Sequence, residues 1–358
     1  MFGLYIHIPY CRSKCRYCDF YSTPCPDGVP EAYIDALCRE MDRFSPCGST
    51  PLRPDTLYFG GGTPSLLTPA QAARLIRAAG PAPGAEITLE ANPETVTPER
   101  LAAFRRAGVN RLSLGIQTAR DARLGRRHTA AQSRRALGMA VQAGFTDISG
   151  DLMLALPAYT MAELDETIAL LAESGCTHIS GYLLKIEPNT VFGKCPPEAL
   201  PGDDAAADFY LAAVEKLAAL GYAQYEISNF ARPGFESRHN RIYWDCGDYL
   251  GLGPAAHSCM GGKRFATPAG TAAFLAAPAV YEPQGECTAE DYIMLQLRLS
   301  RGLSLSALRA RYGVSFSSEK LRFLQTLAEH GLAVFDGSVL RLTPRGMLVQ
   351  NSILCELV

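Results

Sequence analysis

The 358-residue sequence lacks any apolar run long enough to span a lipid bilayer. Its start, "MFGLYIHIPY", lacks the charged segment and the long apolar stretch of a secretory leader. We therefore expect a soluble, cytoplasmic protein. An excess of charge of either sign is missing as well, because 34 basic and 36 acidic residues leave a formal net charge of −2. That balance argues against a nucleic-acid partner and against binding to an anionic membrane surface.

A disulfide framework is also lacking. The 12 cysteines are scattered through a long chain rather than packed into a short secreted domain, so we expect reduced thiols. Most of them stand alone in the sequence, among them Cys246, Cys259 and Cys287. Free cysteine is commonly a small buried hydrophobe, and we expect a structural role for each of these three.

Close to its start the sequence does contain a loop of three cysteines in the spacing Cys-x3-Cys-x2-Cys, namely Cys11, Cys15 and Cys18. Three thiolates can bind three corners of a [4Fe-4S] cluster, whose usual ligand is cysteine. A fourth local cysteine is absent because Phe20 stands in its place, which leaves one iron open to a small molecule. A zinc site with Cys25 or His7 as its fourth ligand is the alternative, although zinc sites usually show paired Cys-x2-Cys modules.

The first two thirds of the chain alternate strand-like and helical segments. Six apolar runs are predicted strands: Leu4–Pro9, Thr56–Gly60, Glu86–Ala91, Arg111–Gln117, Asp147–Leu154 and His178–Ile186. The segments between them carry helix signals, as in "TPERLAAFRRAG", where Thr97 can cap, Pro98 suits the first turn and Gly108 ends the helix. Six strand–helix units followed by "AQYEISNF" predict an α/β fold, a partial (β/α)6 TIM-like barrel that stays open. A flat doubly wound sheet is the alternative.

The remaining third of the chain has a different character. From about Arg232 it is rich in glycine and aromatic residues, and from about Thr288 it predicts three short helices and a hairpin with an Asp-Gly turn. We assign residues 1–231 to the barrel with its cluster loop and 232–287 to a connecting segment packed on the barrel. We predict that residues 288–358 form a winged-helix-like α+β domain. Its basic residues are interspersed with acidic ones, which favours a packing module over a DNA reader.

Two further patterns indicate a binding site. The stretch "YFGGGTPSLL" ends a predicted strand with three glycines that let backbone approach a ligand closely, although a plain tight turn is the alternative. No Gly-Lys-Ser/Thr follows, so it is not a phosphate loop. Isolated polar residues, Glu90, Gln117 and Asp151, fall at the ends of three predicted strands. Because the carboxyl ends of parallel strands meet at one face, we expect these side chains to converge, unless each merely caps a loop.

The cysteine loop followed by the glycine-rich turn resembles the radical S-adenosylmethionine (SAM) superfamily. A closer resemblance covers nearly the whole chain, through the ordered motifs "LYIHIPYCRSKCRYCDF", "GGGTPSLL", "EANPETVTPERL", "AGVNRLSLGIQT", "LGRRHTAAQ", "DLMLALP", "IEPNTVFG", "YEISNFARPG" and "HNRIYW". They are similar to the oxygen-independent coproporphyrinogen III oxidase-like family and, within it, to the HemW branch of heme chaperones. Phe20, where the oxidase has another cysteine, and the "HNRIYW" stretch favour that branch. In "DLMLALP", Ala155 stands where the family usually has glycine.

The resemblance implies a radical SAM fold and a role for each matching residue. It implies that Cys11, Cys15 and Cys18 hold the [4Fe-4S] cluster, that Tyr5 lies near the cluster and SAM, and that Gly61 and Glu90 contact SAM. The positions that match a second SAM in the oxidase are Gly62, Thr63, Gln117, Arg126 and Asp151. An electron donor for the cluster is implied as well.

The same resemblance implies heme as a ligand. Heme iron needs an axial ligand, and His7, His239 and His257 fall in family motifs. We expect His239 to bind heme, with a hydrogen-bonded structural histidine as the alternative for each of the three. The expected function is a heme chaperone without oxidase activity, which binds heme or a related tetrapyrrole and transfers it to an acceptor hemoprotein that can be membrane-associated. The alternative is a radical SAM coproporphyrinogen III oxidase or another tetrapyrrole-modifying enzyme.

Overall fold

A computed structural model of the chain describes residues 1–45, 51–120, 124 and 128–358. The strands in these ranges are β1 (Phe2–Ile8), β2 (Tyr10–Cys11), β3 (Thr23–Pro24), β4 (Thr56–Gly61), β5 (Glu86–Ala91), β6 (Arg111–Gln117), β7 (Asp147–Leu154), β8 (His178–Leu183), β9 (Ala223–Glu226), β10 (Asn229–Ala231), β11 (Asp248–Leu252), β12 (His257–Met260), β13 (Lys263–Ala266), β14 (Glu282–Glu286), β15 (Leu303–Ser304), β16 (Ala333–Phe335) and β17 (Val339–Leu342).

The α-helices in the same ranges are α1 (Glu31–Phe44), α2 (Pro69–Ala79), α3 (Pro98–Ala107), α4 (Ala130–Gln142), α5 (Met161–Glu173), α6 (Val191–Lys194), α7 (Asp203–Ala219), α8 (Arg238–Trp244), α9 (Thr271–Ala276), α10 (Ala289–Leu297), α11 (Leu305–Tyr312), α12 (Ser318–Glu329), α13 (Pro344–Leu348) and α14 (Gln350–Leu357). In the described part of the chain, none of these helices is both long enough and apolar enough to cross a bilayer.

One long sheet organises the first 286 residues. Its strand order is β14-β13-β12-β11-β1-β4-β5-β6-β7-β8-β10-β9. From β11 to β8 every neighbouring pair is parallel. The two edge strands, β14 and β9, do not pair with each other in the described ranges, so the sheet is an open, partial barrel as predicted. Parallel strands are covered on both faces, and accordingly all seven residues of β6 are buried.

The strand and helix bounds follow local sequence signals. The bounds of β5, β6 and β7 are those predicted. Strand β1 ends one residue before the predicted limit, at Pro9, which has no N–H to donate to a ladder. Thr97 accepts a hydrogen bond from Arg100 N at 3.3 Å and caps α3, which ends at Gly108 with a left-handed φ of 114°.

Both edges of the sheet differ from a regular strand–helix repeat. The run "AQYEISNF" forms the antiparallel pair β9 and β10, and β10 pairs antiparallel with β8. At the other edge, β11 lies parallel to β1, with Leu250 opposite Leu4, and the meander β12–β14 continues outward from it. Residues 232–287, which we expected to pack on the barrel as loops and short strands, therefore contribute four strands to the same sheet.

The last 70 residues form an α+β module with its own core. Helices α10, α11 and α12 surround a small sheet in the order β15-β17-β16. Asp336 accepts hydrogen bonds from Ser338 N and Val339 N and stabilises the turn of the β16–β17 hairpin. The module joins the barrel through α8, because Gln296 Nε2 of α10 donates to Trp244 O at 2.7 Å. Helix α8 is thus held between the barrel and the C-terminal module.

Candidate functional site

Two neighbouring cavities lie at the end of β1. The first, called the cysteine pocket, is lined by the three loop cysteines and by the turn after β4, together with Glu90, Gln117 and Asp151. The second, called the aromatic cavity, has a volume of about 520 Å³ and is lined by Tyr5, Tyr243, Trp244, Tyr249 and His257 among others. Phe20 lines both cavities and is 69% exposed, so this side chain marks their common boundary.

The three loop cysteines share one pocket. Cys11 ends β2 and is buried, whereas Cys15 and Cys18 are half-buried. The loop is held by backbone hydrogen bonds, from Cys18 N to Cys15 O at 3.2 Å and from Cys25 N to Cys11 O at 2.7 Å. Thr63 Oγ1 donates to Cys11 Sγ at 3.4 Å. Burial raises the pKa of the Cys18 thiol, and the neighbouring Cys15 and Cys11 raise it further.

Both candidates for a fourth zinc ligand, Cys25 and His7, already have hydrogen-bond partners. The thiol of Cys25 donates to Gly28 O at 2.9 Å. Both ring nitrogens of His7 have partners, Tyr5 OH at 3.0 Å and Tyr21 O at 2.9 Å. In the ranges that the structure describes, no three His, Cys, Asp or Glu side chains converge on one ion.

The glycines at the end of β4 are required by packing against β1 and β2. A Cβ at Gly60 would stand 2.7 Å from the Tyr5 ring, and one at Gly61 would stand 2.5 Å from the His7 ring. A Cβ at Gly62 would stand 2.7 Å from Tyr10 O. Gly61 also has a φ of 110°, which L side chains rarely adopt. The three glycines therefore admit the aromatic side chains of β1, and they leave bare backbone at the wall of the cysteine pocket.

Glu90 is the carboxylate nearest to that bare backbone. Its Oε2 accepts a hydrogen bond from Gly61 N at 3.1 Å, and its Oε1 accepts one from Tyr58 OH at 2.8 Å. Desolvation by the surrounding residues raises the pKa of Glu90 to about 7, against the lowering effect of the Tyr58 hydrogen bond; Asp151 raises it further. The pocket therefore favours a cationic ligand, which would restore the ionised form of this carboxyl.

Gln117 and Asp151 meet Glu90 in the same pocket, as the carboxyl ends of parallel strands predict. Gln117 Nε2 donates to Asp151 Oδ2 at 3.4 Å. Gln117 has a left-handed φ of 63°, and the pairing of β6 with β7 shifts register between Leu114 and Gln117. This irregularity turns the side chain of Gln117 into the pocket. The predicted position Arg126 lies outside the described residues.

Tyr5 lines the aromatic cavity rather than the cysteine pocket. Burial raises the pKa of Tyr5, and the nearby Glu90 raises it further. The ring of Tyr5 stacks on Tyr58 with 6.1 Å between centroids. Since Tyr58 also holds Glu90, these two tyrosines form the partition between the cysteine pocket and the aromatic cavity.

His239, the expected heme ligand, is 1% exposed inside the barrel. Its Nδ1 pairs with Thr56 Oγ1 at 2.7 Å, and its Nε2 pairs with Tyr243 OH at 2.6 Å. Its ring stacks on Tyr58 at 5.0 Å between centroids. Burial, aided by Arg111, lowers the pKa of His239 to about 3, so the ring is neutral. Because both nitrogens have protein partners, the contacts favour the structural alternative for this histidine.

His257 has a different environment at the start of β12. Its side chain is exposed and lines the aromatic cavity. In the described part of the chain, no group hydrogen bonds to its imidazole ring. An imidazole with free nitrogens at a cavity wall can bind a metal, and of the three candidate histidines it is His257 that meets this condition.

Sequence reasoning missed a group of thiols at the same cavity. Cys246, Cys259 and Cys287 all line the aromatic cavity, although they are far apart in the sequence and belong to no spacing motif. The sheet brings them together, since Cys259 lies opposite Tyr249 of β11 and Cys287 N donates to Gly262 O at 2.7 Å. Their proximity depends on the register of β11 to β14, which cannot be read from the sequence.

Comparison with known proteins supports the assignment of the fold and shows the family of the chain. The family model of the radical SAM superfamily matches residues 5–171, and that of the HemN C-terminal domain matches residues 288–349. The chain is 43% identical over 263 residues to "Heme chaperone HemW" of Escherichia coli K12, a match that covers 71% of this chain and 69% of that protein. It is 35% identical over 373 residues to "Heme chaperone HemW" of Bacillus subtilis, covering 99% of this chain and 98% of that protein.

A solved structure shares the fold over almost the full length. It is described as "Coproporphyrinogen III oxidase (HemN) from Escherichia coli is a Radical SAM enzyme", and it matches with a TM-score of 0.82 at 24% sequence identity. The match covers 99% of this chain and 89% of that one. At this level of identity, the similarity establishes the fold and leaves the activity open.

Proposed function

Since this chain belongs to the radical SAM superfamily and, within it, to the family of the relatives called heme chaperone HemW, we propose that it binds heme and delivers it to acceptor hemoproteins. The observation that carries this proposal is the aromatic cavity, which adjoins the cysteine pocket at Phe20. Its volume of about 520 Å³ lies within the usual range of about 300–1,000 Å³ for small-molecule and cofactor sites.

The chemistry of the cavity wall suits a metallotetrapyrrole. Aromatic faces, chiefly Tyr243, Trp244 and Tyr249, would cover the apolar macrocycle. Arg264 also lines the cavity. One terminal nitrogen of its guanidinium pairs with Asp291 at 3.0 Å, and the remaining N–H groups would hold a propionate. His257 would hold the iron of the tetrapyrrole through its imidazole.

The cysteine pocket suits the second part of the proposal, a [4Fe-4S] cluster and SAM. Cys11, Cys15 and Cys18 would hold the cluster, which when bound supplies the electron for reductive cleavage of SAM. Glu90 and the backbone of Gly61 would receive the positively charged groups of SAM. The polar groups that complete the pocket wall are Gly62, Thr63, Gln117 and Asp151.

The partition of Tyr5 and Tyr58 gives the two cavities a shared wall, so occupancy of one would influence the other. Heme transfer then requires an acceptor hemoprotein at the mouth of the aromatic cavity, and the cluster requires an external electron donor. Because Phe20 is exposed at the boundary, it would contact heme on one side and the cluster loop on the other.

An anaerobic experiment tests the proposal. The cluster is reconstituted, reductant and SAM are supplied, and both heme binding and conversion of coproporphyrinogen III are measured. We expect stoichiometric heme binding and no conversion. Conversion to protoporphyrinogen would instead support the oxidase alternative. A Cys11→Ala variant that kept its iron and its SAM binding would refute the assignment of the cluster site.

The position of heme is tested separately with Met294→Trp. Met294 lines the aromatic cavity and is 41% exposed, so a larger side chain there fills the cavity without overpacking the hydrophobic core. We expect this variant to lose heme and to retain iron and SAM. Unchanged heme binding by a folded Met294→Trp protein would place heme elsewhere.

A further inference from the structure

Three thiols from three separate elements meet at the wall of the aromatic cavity. Cys246 follows α8, Cys259 lies in β12 and Cys287 follows β14. Cys246 and Cys259 are buried, whereas Cys287 is half-buried and reaches the cavity. The thiol of Cys246 hydrogen bonds to the sulfur of Cys287. The cavity therefore contains a sulfur that is both accessible and held by a neighbour.

The hydrogen bonds give the sulfur of Cys287 the role of acceptor. Tyr312 OH donates to Cys287 Sγ at 3.9 Å, and the Cys246 thiol is its second donor. Burial raises the pKa of Cys246 to about 12, and the hydrogen bond to Cys287 raises it further. The pKa of Tyr312 is likewise raised, first by burial and then by Cys287. The sulfur of Cys287 is thus the common acceptor of two hydrogen bonds at the cavity wall.

Two arginine side chains lie close to the same group of thiols. Arg311 lies beside the thiols, where its guanidinium donates to Asp245 O at 2.9 Å and to Cys246 O at 2.7 Å. The positive charge of Arg311 opposes the rise in the pKa of Cys246. Arg264, across the β12–β13 pair, acts in the same direction on Cys259, whereas the nearby carboxylates Asp291 and Asp248 act against it. Arginine neighbours and hydrogen-bond donors are the usual means of stabilising a thiolate.

We propose that Cys287 supplies a sulfur ligand to the iron of the metallotetrapyrrole in the aromatic cavity, with Cys246 and Tyr312 as positioning residues. This inference rests on the proposed function, because it requires heme in that cavity. On ligation the Fe–S bond forms as the S–H bond of Cys287 breaks. The proton passes to solvent, a water molecule leaves the iron, and the oxidation state of the iron is unchanged. Thiolate is an established axial ligand of heme iron.

The test is a hemin titration of the reconstituted full-length protein under anaerobic conditions, followed by electron paramagnetic resonance and by absorption of the ferrous–CO complex. We expect the wild-type spectra to be of the thiolate type. Cys287→Ser should convert them to a nitrogen- or oxygen-ligated type while the heme stoichiometry is retained. The exposed Cys355 provides the matched control, since Cys355→Ser should leave the spectra unchanged.

The positioning residues have a readout of their own, the reduction potential of the bound heme. Tyr312→Phe and Cys246→Ser remove a hydrogen bond to the sulfur without removing the ligand. Because hydrogen bonds to a ligating sulfur withdraw electron density, we expect both variants to keep the thiolate spectrum and to shift the potential to more negative values. An unchanged potential in both would overturn the positioning role.

The outcomes separate this inference from the proposal on which it rests. If wild-type protein binds no heme, or if folded Met294→Trp binds it normally, the proposed function or its site is wrong. If Met294→Trp blocks binding and Cys287→Ser leaves the spectra unchanged, heme binding stands and the sulfur ligand is refuted. Loss of the thiolate spectrum in Cys259→Ser but not in Cys287→Ser would refute it as well.

Discussion

Glu90 offers the sharpest test of how the cysteine pocket binds its ligand. Its pKa is raised from 4.5 to about 7, and at 1.36 kcal/mol per pH unit the protein without ligand disfavours the ionised carboxyl by about 3 kcal/mol. A ligand that carries positive charge beside Glu90 recovers part of this free energy. SAM binding should therefore release a proton from Glu90 at pH values between the lowered pKa of Glu90 in the complex and about 7.

The expected size follows from the ionised fraction of Glu90. With a pKa of about 7, that fraction rises from about 0.1 at pH 6 to about 0.8 at pH 7.5, so SAM affinity should increase about eightfold. Calorimetric titration in two buffers of different ionisation enthalpy measures both the affinity and the released proton. Glu90→Gln should abolish the pH dependence, whereas Glu99→Gln, an exposed carboxyl in the first turn of α3, should preserve it.

Protein stability gives an independent check that needs no SAM. The pKa of Glu90 is higher in the folded than in the unfolded chain, so the folded state binds this proton more tightly. The contribution of Glu90 to stability is therefore most favourable below about pH 4.5 and is lost as the pH rises to about 7. Glu90→Gln should flatten this part of the stability profile. Identical profiles for wild type and Glu90→Gln, together with an unchanged slope of SAM affinity, would refute the reasoning.

Three further predictions concern single side chains. Ala155 has a left-handed φ of 56°, so Ala155→Gly should relieve about 1–2 kcal/mol of backbone strain and lose about 0.4–1 kcal/mol because the unfolded chain is freer. The net gain in stability is measured by denaturant unfolding. A loss of stability would contradict this prediction. Tyr243→Phe removes the 2.6 Å hydrogen bond to His239 and should cost about 1–3 kcal/mol in the same assay. Identical unfolding of the two proteins would show that the ring nitrogen of His239 has another partner. Phe20→Ala should speed heme dissociation, followed by transfer to apomyoglobin, without changing iron content, and an unaltered rate would show that Phe20 does not cover the ligand.

The parts of the fold that could be predicted are those with local causes. Glycine, proline and asparagine residues mark the limits of β5 and β6. Strands that are covered on both faces need no alternation of apolar and polar residues, so their apolar runs were recognisable. The meeting of Glu90, Gln117 and Asp151 also followed from the sequence, because parallel strands place their carboxyl ends at one face. The cysteine loop is local as well, since its three thiols lie within eight residues.

The parts that escaped prediction depend on distant pairing or on side-chain direction. That β11 lies beside β1 cannot be read from either strand, and the aromatic cavity with its three thiols depends on that pairing. The motif "HNRIYW" marks α8 as important without showing where its histidine points. Its ring turns into the barrel because Glu86 accepts hydrogen bonds from Arg238 N and His239 N at the start of the helix.

The position of β1 in the sheet has a consequence for the order of events during synthesis. One edge of β1 pairs with β4, which leaves the ribosome early. The other edge pairs with β11, which is synthesised only after more than two thirds of the chain, so this edge stays unpaired until then. Such non-local pairing slows folding and leaves a strand edge exposed in the meantime. The cysteine loop follows β1 directly, so its final shape depends on residues translated much later. For the proposed [4Fe-4S] cluster, insertion of iron and sulfur would therefore follow the synthesis of β11, and a truncated product that ends before β11 would present its three thiols on an unfinished sheet.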